Sequence, residues 1–148
     1  METNGNHFFL LQPRAWVGQG SIQLSMVAEE LTFMTNWDIG QPDTSGGISC
    51  VQEIQIHGLA DIMSNQFIMY DFSGSTFRVE LENQALGKVQ GSGFFDDTVI
   101  AWEFRVPEIG FEGLEFYEKQ SDASYLMRAE YATQDQFRTI IQGQVWQK

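Results

Sequence analysis

The 148-residue chain carries twenty Asp and Glu against eight Lys and Arg, a formal net charge of −12 that repels phosphate backbones and anionic lipid heads, so neither nucleic acid nor membrane is expected as a partner. Hydrophobic residues at 43% and aromatics at 14% argue against disorder, and a chain this long buries roughly 68–70% of its unfolded surface, enough for a sizeable core. The lone cysteine, Cys50, excludes an intrachain disulfide, and neither a basic signal-peptide start nor about 18 successive apolar residues occurs, so a cytoplasmic location is expected.

Residues 1–13, ending at Pro13, read as a lead-in, and 14–148 as one domain. From Arg14 to Met26 every second residue (Trp16, Gly18, Gly20, Ile22, Leu24, Met26) is apolar or glycine, the period of a half-buried strand. Val27 to Glu30 turns the chain into a second alternating strand, Leu31 to Ile39, and the Gly/Pro/Asp-rich stretch 40–47 reads as a long mobile loop. A third strand runs from Ile48 to Ile56. Leu59 to Asn65 is ambiguous and could form one helical turn before a strand over Gln66 to Phe72.

A tight turn at Ser73-Gly74-Ser75 leads into Thr76 to Glu82, where Phe77, Val79 and Leu81 oppose Arg78, Glu80 and Glu82, so one face is wet. Lys88 to Phe95 is a strand in which Gly91 and Gly93 suggest a bulge or bend. After Asp96-Asp97, Val99 to Val106 is the most apolar strand, ended by Pro107 to Gly110. Leu114 to Glu118, Tyr125 to Tyr131 and Phe137 to Trp146 complete the series, with turns at 120–122 and 133–135. The expectation is an all-β, antiparallel up-and-down meander of nine or ten strands, closed into a barrel where the first strand pairs with the last.

The reactive inventory is thin. Of the two histidines, His7 falls in a lead-in expected to be loose, and His57 precedes a turn glycine at a strand end, a surface or rim position. Cys50 shares the apolar register of Ile48 and Ile54 and reads as a small buried hydrophobe. There is no Cys or His pair to hold a metal, Asp96-Asp97 reads as turn chemistry, and the glycines of 87–93 precede a strand rather than a helix, so no metal or phosphate site and no cofactor is expected. Glu103, Glu115 and Glu130 lie within strands. Two of them facing inward would supply the opposed carboxylates of glycosidase-like chemistry, whereas exterior positions would pair them with Arg105 or Arg128.

A tryptophan opening the first strand, the glycine-punctuated alternation behind it and some nine meandering strands resemble the calycin-like barrels: lipocalins, intracellular fatty-acid-binding proteins and the nitrobindin-like group. In those families a late arginine packs across the opening tryptophan. The resemblance therefore implies a structural clamp of Trp16 and Arg138, although Arg14 stands where their Gly-x-Trp motif has glycine. Independently of the clamp, Trp16 reads as a core aromatic with its ring N–H satisfied. The nitrobindin-like haem histidine near the C-terminus has no counterpart here, since neither His7 nor His57 lies there.

A barrel of this size can enclose one small ligand, and Phe33, Trp37, Met69, Phe77, Trp102, Phe104, Phe116, Met127 and Tyr131 are the side chains expected either to line such a cavity or to fill it as solid core. Arg78, Arg128 and Arg138 could anchor a ligand carboxylate if any of them faces inward. The leading expectation is a protein that binds a small apolar or amphipathic molecule. The alternatives are an interaction module using an acidic surface or a homodimer interface, and, third, a lipocalin-like enzyme.

Overall fold

The computed structural model describes residues 7, 9–25, 28–134 and 138–148. Ten antiparallel strands follow one another: β1 (Arg14–Leu24), β2 (Leu31–Ile39), β3 (Ile48–Ile56), β4 (Ile62–Ser73), β5 (Thr76–Asn83), β6 (Gly87–Phe95), β7 (Val99–Val106), β8 (Phe111–Ser121), β9 (Ser124–Ala132) and β10 (Arg138–Gln147). Each pairs with its sequence neighbour, and β1 pairs with β10 from Trp16↔Gln147 to Leu24↔Thr139, closing the barrel. Closure leaves no strand edge unpaired. Apart from one 3-10 turn at Pro107–Ile109, the described residues contain no helix.

Alternation sets the two faces. In β2, Phe33, Thr35, Trp37 and Ile39 are buried while Thr32, Met34, Asn36 and Asp38 are exposed, and β5 buries Phe77, Val79 and Leu81. The seam between β1 and β10 is made by facing glycines: Gly20 lies opposite Gly143, and a Cβ on Gly20 would stand 2.1 Å from the Gln142 carbonyl oxygen. Glycine is needed here because the neighbouring backbone occupies the space that a side chain would take.

Several local expectations are corrected. Leu59 to Asp61 form no helical turn, and β4 begins at Ile62. The register of β6 against β5 runs unbroken through Gly91 and Gly93; the shift lies between Tyr70 and Ser73 of β4, where Asp71 takes a left-handed φ of 53°. Gly93 instead gives room to the Phe77 ring, which a Cβ would meet at 2.4 Å. The stretch 40–47 is organised around Asp43, whose Oδ1 accepts from the backbone N–H groups of Ser45 and Gly47. Met26, Val27, Asp135 and Phe137, the expected ends of β1 and β10 and parts of two turns, lie outside the described residues, as does Phe8 of the lead-in.

The barrel has one filled end. His7, Phe9, Leu10 and Leu11 are buried beneath the start of β1 rather than loose. Phe9 packs its ring on Trp16, Trp37, Tyr117 and Tyr125, with centroids 4.7–5.5 Å apart. His7 Nε2 donates to the Asp96 carbonyl, so its Nδ1 accepts from the Tyr125 hydroxyl at 2.7 Å, and burial holds the imidazole pKa below its ordinary value. Trp37 stacks on Phe67, Phe67 meets Trp102 edge-on, and Trp102 stacks on Tyr117, so rings occupy this half of the interior. The indole N–H groups of Trp16 and Trp37 are buried with no acceptor among the described residues, contrary to the expectation for Trp16.

Candidate functional site

The opposite half is hollow. A cavity of about 860 Å³ opens at the end formed by the last residues of β5 and the first of β4 and β8, within the range of small-molecule sites. Its apolar wall includes Ile22, Phe33, Ile54, Leu81, Phe111 and Met127. The strands that bring these residues together are distant in sequence, so the cavity exists only when the barrel closes.

One acid is buried in its wall. Glu115 of β8 is 4% exposed and takes three hydrogen bonds: from Trp102 Nε1 at 3.2 Å, from the Tyr117 hydroxyl at 3.0 Å and from the Tyr131 hydroxyl. Burial raises the carboxyl above its ordinary pKa, while the bonds from Tyr131, Tyr117 and Trp102 pull the other way. Both phenols are pushed well above their usual pKa, first by burial and then by the neighbouring carboxyl. An ionised carboxylate offers about four lone-pair sites, so three donors leave roughly one for a further donor. Gly113 makes the arrangement possible, because a Cβ there would lie 2.4 Å from the Tyr131 ring, which stacks on Phe111.

The far wall, on β3 to β5, carries amides. Asn83 Oδ1 accepts from the Leu86 backbone N–H at 2.7 Å, Asn83 Nδ2 donates to Asn65 Oδ1 at 3.0 Å, and Asn65 Nδ2 donates to Gln52 Oε1 at 3.1 Å. All four residues line the cavity, and Gln52 is 3% exposed.

Of the expected ligand residues, Phe33, Met127 and Tyr131 line the cavity. Trp37, Met69, Phe77, Trp102 and Phe104 are buried but do not line it; Trp102 reaches it only through its bond to Glu115. Phe116 lies in the outer register of β8, because the inward positions there are Phe111, Gly113, Glu115 and Tyr117. Arg78 and Arg128 are exposed on the outer register of β5 and β9, so neither points at a ligand inside. The Trp16 and Arg138 clamp does not form: Trp16 sits by the closing end of β10, whereas Arg138 begins that strand, exposed and paired with Glu130.

Among the three strand glutamates, Glu103 is exposed near Arg105 and Glu130 is the ion-pair partner of Arg138, leaving Glu115 without the facing partner that glycosidase-like chemistry would need from this trio. Cys50 is buried, and burial pushes its thiol pKa up to about 12. Among the described residues no group of three or more His, Cys, Asp or Glu stands together to hold a metal, and no helix is long and apolar enough to cross a membrane.

The carboxyl leaves a pH signature. The unfolded chain releases the Glu115 proton near the ordinary value of 4.5, the folded chain only at higher pH, so between the two the native state binds more protons and stability falls as pH rises. Urea denaturation should show wild type gaining stability relative to Glu115→Gln as pH drops from neutral, the difference levelling off below about 4.5. A difference independent of pH would mean that the carboxyl titrates as it does in water.

No family model matches the chain, and no curated protein matches its sequence. Among solved structures, the S-type phycobiliprotein lyase CPES of Guillardia theta is similar in fold, with a TM-score of 0.71 at 12% sequence identity over 95% of this chain and 90% of that one. The likeness extends over the whole barrel and supports a calycin-like fold.

Proposed function

We propose that the chain binds a small amphipathic molecule inside the barrel. The observation that carries this reading is the cavity of about 860 Å³ with apolar walls and one buried, hydrogen-bonded carboxyl, Glu115, in its lining. A buried charge-bearing group is costly, and a solid core would be better served by an apolar residue of the same volume. The open lone pair of Glu115 suits a ligand N–H or O–H, and the apolar walls suit a ring system or a chain. The neighbour in fold is a phycobiliprotein lyase, and its likeness supports a calycin-like scaffold for this reading without assigning a ligand.

The test uses N-phenyl-1-naphthylamine, an apolar fluorophore with one N–H. It should bind wild type with enhanced emission. Met127→Trp, which fills the cavity, should weaken binding at least about tenfold, a loss of roughly 1.4 kcal/mol. Leu126→Trp, next along β9 but exposed on the outer face, should bind as wild type does. Equal affinity in all three proteins would place the probe outside the barrel and end this reading.

A further inference from the structure

We infer that the amide ladder makes Gln52 a fixed hydrogen-bond donor in the cavity, so that the ligand carries a neutral carbonyl-type acceptor on its β3 to β5 side. The inference rests on the proposed binding of a small molecule within the barrel. An Asn or Gln amide can ordinarily turn either end toward a partner. Here the direction is anchored, because the Leu86 backbone N–H can only donate and therefore fixes Asn83 Oδ1 as its acceptor. Asn83 must then present Nδ2 to Asn65 Oδ1, and Asn65 must present Nδ2 to Gln52 Oε1. The chain of amides ends in Gln52 Nε2, the end of the side chain not used by Asn65, on a residue that lines the cavity.

A donor open to the cavity is hydrated in the empty barrel, and a ligand that covers it without supplying an acceptor would leave it buried and unpaired, so a ligand with an acceptor there is favoured. The acceptor is neutral rather than anionic, because Glu115 lines the same cavity and the protein as a whole is strongly acidic. With Glu115 accepting on the β8 side and Gln52 donating on the β3 side, the two walls distinguish the ends of an amphipathic ligand. Ketones, amides and esters with an apolar body form the matching class.

The experiment compares two compounds of nearly the same shape, 2-acetylnaphthalene and 2-ethylnaphthalene, as competitors of N-phenyl-1-naphthylamine. Their affinity ratio is measured in wild type, Gln52→Leu and Asn83→Asp. Leucine removes the donor. Aspartate still accepts from Leu86 but cannot donate to Asn65, so Asn65 turns over, Gln52 turns with it, and an oxygen rather than an N–H faces the cavity. The ketone's advantage should drop about fivefold in both variants, the scale of one net hydrogen bond. An unchanged ratio in both variants overturns the inference while leaving cavity binding intact, and a ratio that falls only in Gln52→Leu overturns the fixed polarity of the ladder. Failure of both compounds and the fluorophore to bind wild type overturns the inference together with the binding reading on which it rests.

Discussion

Replacing Gly20 with valine is expected to break the seam that closes the barrel. A Cβ at this position would lie 2.1 Å from the Gln142 oxygen and 2.7 Å from Gly143 Cα, both backbone atoms that no rotamer change can move aside. The facing Gly143 is equally confined, since its own Cβ would stand 2.4 Å from the Gln19 oxygen. β1 and β10 would have to separate over these residues, losing ladder bonds and exposing the interior. The cost should exceed about 4 kcal/mol, a large share of the roughly 5–15 kcal/mol that stabilises a typical domain. Gln23→Val, on the exposed register of the same strand, should stay within about 0.5 kcal/mol of wild type. Urea titrations compare the two, and a Gly20→Val protein as stable as wild type would contradict the closure of β1 on β10.

Phe9→Ala is the second large effect. The ring is fully buried and touches four other aromatic rings, two of them tryptophans, so its removal leaves a cavity between side chains held by separate strands. Aromatic-to-alanine changes at such sites cost about 3–5 kcal/mol. Thermal unfolding should show the loss, and the native emission of Trp16 and Trp37 should shift to the red as water reaches the filled end. A loss below about 1 kcal/mol with unchanged emission would mean that the segment around Phe9 does not close the barrel.

The strands whose apolar and polar residues alternate most cleanly, β2 and β5, were legible because one register is plainly the wetter one. β8 was not. Its outer register holds Leu114, 49% exposed, and Phe116, while its inner register holds Gly113 and Glu115, so hydrophobicity ranked the faces in the wrong order. The buried carboxyl was visible only as one of three strand glutamates, and the phenols and indole that receive it come from β7, β8 and β9 through cross-strand register.

The amide ladder was hidden for the same reason: Gln52, Asn65 and Asn83 are unremarkable polar residues until β3, β4 and β5 are aligned. Arg138 failed as a clamp because its position along β10 places it at the far end of the barrel from Trp16. Nothing in the lead-in has a periodicity that announces the burial of His7, Phe9, Leu10 and Leu11 at the barrel's end.

The occupied cavity can be observed directly through the four indole N–H resonances in a 1H–15N spectrum. Trp102 donates to Glu115 at the cavity, Trp16 and Trp37 lie in the filled half, and Trp146 is on the outer register of β10. On titration with N-phenyl-1-naphthylamine, with each signal assigned by a Trp→Phe variant, the Trp102 resonance should shift in proportion to occupancy and saturate with the fluorescence, while those of Trp16, Trp37 and Trp146 hold their positions. A saturating probe that leaves Trp102 unmoved, or moves Trp146 in its place, would contradict binding inside the barrel.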